Sequence, residues 1–427
     1  MEQENRKTKF ELVETDRLIP YARNARTHSD AQIAQIAASI KEFGFLSPII
    51  ISGDDTIICG HGRLLAAQKL GLKSVPCIRE EYLTEAQRRA YIIADNKLSL
   101  NAGWDDEMLA VELSDLESEA FDLSLTGFSE EELADLLRTD DAVDDDFDVD
   151  DELEKPVFSR SGDLWILGRH RLLVGDSTKD EDMDILMNGE KANLVVTDPP
   201  YNVDYEGSAG KIKNDHMEND RFHDFLLDAF RNMNRVMADD ASIYVFHADT
   251  EGLNFRSAFR EAGFYLSGCC IWKKPSLVLG RSPYQWQHEP VLYGWKEKGK
   301  HRWFTGRKET TIWEFDKSKR NAEHPTMKPI PLLCYPIQNS SMTGTIVLDP
   351  FGGSGSTLIA CEETERRCFT MELDEKFADV IVNRYYQYSS EYRKDGKAGD
   401  VKLIRDGHEY TYEEALSMME GAPEEDA

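Results

Sequence analysis

Asp198-Pro199-Pro200-Tyr201 closes an apolar run, residues 193–197, that reads as a buried parallel strand. A carboxylate therefore emerges at a strand's carboxyl end, the edge at which open α/β sheets bind ligands. Two successive prolines fix φ and leave backbone carbonyls without N–H groups of their own, and Tyr201 adds a flat aromatic face. Such a cluster can grip an exocyclic amino group. An aromatic amine is a poor nucleophile because its lone pair is delocalised into the ring; hydrogen bonds from its two N–H groups to Asp198 and the Pro199 carbonyl would draw the nitrogen toward tetrahedral geometry. Alone, the same residues make an ordinary strand-ending turn.

A second signature lies downstream. The run Ile346-Val347-Leu348-Asp349 leads into Pro350-Phe351-Gly352-Gly353-Ser354-Gly355, and an apolar helical stretch follows from Leu358 to Glu363. Strand, glycine-rich turn and helix make half of a nucleotide-binding α/β unit, with glycines where backbone must approach a ligand closely. Glu372 follows twenty residues after Gly352, at the end of a strand spanning Cys368 to Met371, and an acid at that spacing suits a pair of ribose hydroxyls. Neither GxGxxG nor a P-loop Gly-Lys-Ser/Thr is present, so an adenosine compound without phosphates fits better than a dinucleotide or a triphosphate. A tight strand–helix packing turn is the plainer alternative.

Together these residues resemble the amino-methylating DNA methyltransferases, in the β-type order that places the catalytic Asp-Pro-Pro-Tyr before the cofactor loop. Further motifs stand in that order: Leu173-Val174-Gly175-Asp176-Ser177 before it, His324-Pro325-Thr326-Met327-Lys328-Pro329 ahead of the glycine loop, and Met371-Glu372-Leu373-Asp374 after it. The resemblance covers residues 160–390. It implies S-adenosylmethionine as cofactor, with Asp349 and the loop Pro350, Phe351, Gly352, Gly353, Ser354 and Gly355 at its methionine part. Glu372 would then bind the ribose, Thr326 and Lys328 the neighbourhood of the carboxylate, and Asp176 the adenine. The catalytic set would be Asp198, Pro199, Pro200 and Tyr201. The target nitrogen is inaccessible in a stacked duplex, so the base is flipped out, and Tyr201 is expected to stack on it.

The net charge of −30 argues against a nucleic-acid partner until its distribution is seen. Residues 112–155 hold nineteen acids against two bases, and residues 413–427 add six acids. Residues 272–308 reverse the sign, with nine bases against Glu289 and Glu297, and aromatic residues interleave with the cations as expected where a backbone is gripped. Lys273, Lys274, Arg281, Arg302, Arg307 and Lys308 are thus candidate DNA contacts. The loop from Asn202 to Asn219 reads as a mobile lid. The seven cysteines form no CxxC pair, so neither a metal site nor a disulfide framework is expected. Cys77, in the apolar run Ser74 to Ile78, reads as structural. Without a signal peptide or a membrane-length apolar run, the expected compartment is the cytoplasm.

Residues 141–155 read as an acidic, disordered linker, a solvated spacer in preference to a DNA mimic. Ser129 caps a short acidic helix just before it. Earlier, Ser29-Asp30 opens a helix over residues 31–40, residues 45–52 and 56–59 read as strands, and Gly60-His61-Gly62-Arg63 turns into a helix. Glycines before a helix N-terminus with an arginine on its first turn make an anion site. With Asn24-Ala25-Arg26 and the helix near Thr84–Asn96, the stretch resembles the ParB/sulfiredoxin-like domain. No DNA-reading helix-turn-helix is legible after it.

The expected architecture is therefore a ParB-like α+β domain over residues 10–120, a short helix and acidic linker over 121–156, a Rossmann-like α/β methyltransferase domain over 157–392 and an acidic tail over 393–427. Aspartate before Pro-Pro-Tyr favours adenine N6 over cytosine N4. The resemblance implies double-stranded DNA as partner, leaves a homodimer and a nucleotide on the N-terminal domain open, and, with no nuclease motif in the fusion, suggests a solitary modification enzyme of a mobile element such as a phage. The rival from another class is a non-catalytic partition-like module.

Overall fold

The computed structural model describes residues 9–137, 144, 145, 147–202, 206, 207, 210, 211, 216–279, 283–306, 308–316, 327–392 and 400–420. The chain divides into two compact units, Met1–Thr139 and Asp140–Ala427.

In the first unit, β1 (Lys9–Glu14) is followed by α1 (Asp30–Phe43), β2 (Ile49–Ser52), β3 (Ile57–Cys59), α2 (His61–Lys69), β4 (Ser74–Glu80), α3 (Glu85–Ser99), α4 (Asp106–Ser118) and α5 (Glu130–Leu136). The sheet order is β1-β4-β2-β3, with β2 and β4 parallel and the other pairs antiparallel. Ile49, Ile51, Ile57, Leu64, Val75 and Cys77 form its core, so Cys77 is structural, as its apolar strand implies. The helix starts follow from their caps: Ser29 accepts from the Gln32 amide, and Thr84 and Ser129 each close a capping box, with Gln87 and Glu132.

The second unit continues with α6 (Val149–Leu153), β5 (Leu164–Leu167), β6 (His170–Val174), α7 (Asp180–Met187), β7 (Ala192–Thr197), a short hairpin β8 (Glu206–Gly207) and β9 (Gly210–Lys211), α8 (Asn219–Val236), β10 (Met237–Phe246) and α9 (Gly252–Glu261). After these come β11 (Phe264–Val278), β12 (Trp286–Lys296), β13 (Ile312–Glu314), α10 (Ile330–Ser340), β14 (Ile346–Asp349), α11 (Ser356–Glu363), β15 (Arg367–Glu372), α12 (Glu375–Tyr392), β16 (Val401–Arg405), β17 (His408–Thr411) and α13 (Tyr412–Glu420). The eleven-stranded sheet runs β13-β11-β12-β10-β7-β14-β15-β6-β5-β16-β17, and β10, β7, β14, β15 and β6 are parallel. Strand alternation feeds two cores. Leu194, Val196 and Val347 face helices α10, α11 and α12, while Val195 and Leu348 face α7, α8 and α9.

Two expectations give way. The tail over 393–427 contains a hairpin that extends the sheet: β16 pairs with β5, Val401 and Leu403 are buried, and Asp406-Gly407, both at positive φ, make the two-residue turn. The acidic linker also has structure, because Asp148 caps α6 and Asp145, Phe147, Val149, Glu152 and Leu153 are buried. Charge count masked the apolar residues spaced among the acids. Among the described residues, no helix is long and apolar enough to cross a membrane.

Candidate active site

Four parallel strands, in the order β6, β15, β14, β7, end side by side, and the loop after each carries one motif: Asp176, Glu372, residues 350–355 and residues 198–201. The neighbours β7 and β14 are not consecutive in the chain, so the last two loops meet at a switch in strand order, the place at which open α/β sheets bind ligands. The Thr197 hydroxyl donates to Asp349 Oδ1 at 2.7 Å, tying β7 to the strand that leads into the glycine loop. Asp349 also accepts from the Phe351 amide, and burial pushes its carboxyl up to about 7. It is a buried strut at 2% exposure, so what the site presents is the loop beyond it. Pro350 is buried beneath that loop. At Gly352 a Cβ would lie 2.6 Å from Thr370 Oγ1 and 2.9 Å from Ile381 Cδ1, whereas at Gly353, with φ of 51°, it would meet nothing within 4 Å. The loop thus packs through one glycine and offers bare backbone at the next.

At the end of β7, Asp198 belongs to a four-charge cluster. Lys328 Nζ lies 2.6 Å from Asp198 Oδ2 and 2.8 Å from Glu289 Oε1, and Lys274 Nζ lies 2.9 Å from Glu289 Oε2. The Tyr201 hydroxyl reaches both carboxylates, donating to Asp198 and, at 2.6 Å, to Glu289. Its single proton serves one of them at a time. Burial, acting to raise Glu289, is overcome by Lys328 and Lys274, which hold it down to about 2. For Asp198, burial and the neighbouring Glu289 win over Lys328 and push its carboxyl up. Burial works against the Lys328 ammonium, but the two carboxylates more than offset it and raise its proton affinity. The Tyr201 ring meets Phe255 edge-on, and Lys328 Nζ lies 5.3 Å from the Tyr201 and Phe246 rings. Pro199 is buried behind the turn and Pro200 partly so.

Lys328, expected near a cofactor carboxylate, is therefore a direct partner of Asp198. Glu289 was missed as a site residue. It opens the apolar stretch Pro290-Val291-Leu292 of β12, and a carboxylate at the head of such a run was its one signal. Lys274, expected on DNA, is committed to Glu289. Thr326 lies outside the described residues.

At the other end of the row, Glu372 Oε2 accepts from the Gly353 amide and Oε1 from the Asp374 amide, each at 2.8 Å. Burial raises its carboxyl to about 7. The Gly175 amide donates to the Glu372 carbonyl, which brings Asp176 alongside. Asp176 Oδ1 accepts from Thr178, and its own amide donates to Asp182. Phe351 packs edge-on against Phe225, and the Ser354 carbonyl is held by Arg384.

Of the other candidate cations, Lys273 pairs with Glu314 and Arg302 with Asp240, both at 2.6 Å on exposed surface. Lys308 is exposed, and Arg281 and Arg307 lie outside the described residues. Much of the Asn202–Asn219 lid also does, though its ends are clasped: Asn202 donates to the Met217 carbonyl and accepts from the Met217 amide. In the first unit Gly60, at φ of 102°, opens α2 as expected. His61 Nε2 accepts from the Tyr21 amide, and Arg63 is engaged by Ser47 and Cys59, so both proposed anion ligands have partners within the unit. A Cβ on Gly62 would sit 3.0 Å from His28, so this glycine is needed for packing. Among the described residues no His, Cys, Asp and Glu cluster suited to a metal is found.

Comparison with known proteins matches residues 192–383 to the DNA methylase family, 1–96 to the ParB N-terminal domain and 107–161 to the ParB-methyltransferase HTH domain. The last corrects the reading that no helix-turn-helix follows the N-terminal domain. Helices α4 and α5 fall largely within that match, and their sequences carry acids and no Lys or Arg. The ParB-like nuclease domain-containing protein YnaK of Escherichia coli (strain K12) is 50% identical over 72 residues, 17% of this chain and 83% of YnaK. The DNA adenine methyltransferase YhdJ of the same organism is 26% identical over 231 residues, 46% of this chain and 76% of YhdJ. The crystal structure of the M1.HpyAVI–SAM complex aligns over 50% of this chain and 98% of its own, with 22% identity and a TM-score of 0.40. The methylase match removes the non-catalytic partition module as a reading of the whole chain. With its carboxylate-ended β7 beside a glycine loop, this chain carries an N6/N4-type DNA methylase domain over residues 192–383 behind a ParB N-terminal domain.

Proposed function

We propose that the chain transfers a methyl group from S-adenosylmethionine to the N6 amino group of adenine in double-stranded DNA, on a base flipped out of the helix. The observation that carries this reading is Asp198 at the end of β7 beside the bare backbone of the glycine loop after β14, the two joined by Thr197 and Asp349. The residues fit the cofactor: Glu372 offers a carboxylate for ribose hydroxyls, Asp176 stands next to it, and Gly353 leaves space for close approach. When bound, the cofactor supplies an electrophilic methyl group on a sulfonium.

The chain's own residues do the rest by orientation and fixed charge. Lys328 aims Asp198, and Asp198 accepts one N–H of the target amine while the Pro199 carbonyl accepts the other. As the nitrogen gains its methyl it sheds a proton, for which Asp198, with raised proton affinity, is the nearest base. Tyr201 is held by its hydroxyl, which fixes its ring beside the target. Aspartate ahead of Pro-Pro-Tyr favours adenine, the base named for YhdJ. Digesting DNA modified by the enzyme to nucleosides and weighing them tests the proposal: N6-methyladenine supports it, N4-methylcytosine replaces the base, and no modified nucleoside overturns it.

A further inference from the structure

The segment entering the methylase unit makes specific bonds to the back of the site. Asp145 pairs bidentately with Arg384 of α12, at 2.7 and 2.9 Å, and Arg384 is 1% exposed. The remaining nitrogen of that guanidinium, Nη1, donates to the Ser354 carbonyl at 2.8 Å and to Ser356 Oγ at 3.1 Å. Ser354 belongs to the glycine loop, and Ser356 begins α11. Next to Asp145, Asp144 Oδ1 accepts from the Ile330 amide at 2.7 Å, two residues beyond Lys328. Phe147, Val149 and Leu153 cluster with Met327, the residue before Lys328, and with Val380 of α12. Glu152 completes the attachment by accepting from Asn383.

A buried guanidinium–carboxylate pair is rarely worth more to stability than apolar side chains of the same size, because desolvation offsets the attraction. What this pair does uniquely is present a donor to the Ser354 carbonyl. We infer that residues 144, 145 and 147–153 form a strap that positions the cofactor site: Asp145 orients Arg384, Arg384 fixes the glycine loop, and Asp144 and Phe147 hold the segment that carries Lys328. Asp145 and Arg384 are positioning residues, since neither belongs to the reacting groups. The inference rests on the reading that loop 350–355 holds S-adenosylmethionine. A transferase fragment begun at Val157 would leave Arg384 charged, buried and unpaired, so the working unit starts ahead of Asp144.

The test uses the full-length chain and calorimetric titration with S-adenosylmethionine. Wild type must bind; if it does not, the cofactor reading itself fails. Asp145→Asn should weaken binding about tenfold and raise the cofactor KM with little change in kcat at saturation. Asp145→Leu with Arg384→Met removes both charges and guards against an unfolded single variant. It should melt near wild type and still bind about tenfold more weakly, because Ser354 has lost its donor. Normal binding by the folded double variant would make the pair merely structural and overturn the inference. Coupling is reciprocal, so S-adenosylhomocysteine added to wild type should slow amide exchange in residues 147–153 as well as in the loop. Protection confined to the loop would also overturn it.

Discussion

Glu289→Gln offers a test of the charge cluster with a calculable size. Asp198 and Glu289 each lie within 2.8 Å of Lys328 Nζ, so the two carboxylates are no more than about 5.4 Å apart, and at an effective dielectric of about 20 they repel by roughly 3 kcal/mol. That corresponds to about two pH units on Asp198. Asp198 must be ionised to accept an N–H, so turnover falls as pH drops through its pKa, which burial and Glu289 both raise. Replacing Glu289 by glutamine removes the negative neighbour and leaves Lys328 to Asp198 alone. Both changes favour the carboxylate, so the acid limb should move to lower pH, by one to two units after screening. The assay is kcat against pH at saturating cofactor and DNA, with tritiated methyl transfer as readout. An acid limb that stays put or moves upward would refute the assignment of Asp198 as the titrating acceptor.

Asp198→Ala should leave cofactor affinity within a few-fold and lower turnover by several orders of magnitude, because its hydrogen bond acts in the transition state; near-normal turnover removes it from the mechanism. Glu372→Ala should weaken S-adenosylmethionine binding roughly tenfold to a hundredfold, the loss of charge-assisted hydrogen bonds worth about 1.5–3 kcal/mol, and unchanged calorimetric affinity would sink the ribose assignment. Lys273→Ala should lower DNA affinity and reduce the slope of log affinity against log salt by about 0.9, while Lys274→Ala should leave that slope unchanged and impair turnover. Equal salt slopes for the two variants would contradict their assignment to different faces.

The features most legible in the sequence were those in which local chemistry and pattern agree. Residues 193–197 are apolar and the next residue is charged, so strand and site were read together, and the glycine loop declared its turn by composition. What the sequence concealed depended on contacts between distant segments. Glu289 joins the Asp198 cluster because Lys328, 39 residues later in the chain, and Tyr201 bridge the two carboxylates. In the acidic segment, Phe147, Val149 and Leu153 were outnumbered by charges, and it is the facing Met327, Phe377 and Val380 that make their burial worthwhile. The hairpin β16–β17 could have been found, since Asp406-Gly407 between two alternating stretches is a type of turn that hairpins favour. The acidity of the last fifteen residues drew attention away from it.

The formal charge of −30 and a polyanionic substrate are reconciled by where the charges are engaged. Asp145 is neutralised by Arg384 inside the fold, so part of the acidic segment presents little repulsion to a phosphate. Lys273 and Arg302, by contrast, are paired on exposed surface with Glu314 and Asp240, and such pairs are worth little. A phosphate can take over those cations at small cost and gains the entropy of released counterions. Lys274 is different in kind. It neighbours Lys273 on β11, but strand alternation turns successive side chains to opposite faces, and Lys274 holds the buried carboxylate of Glu289, which shares Lys328 with Asp198. One basic stretch in the sequence therefore divides into cations paired on exposed surface and a cation committed to the buried Glu289 beside Asp198.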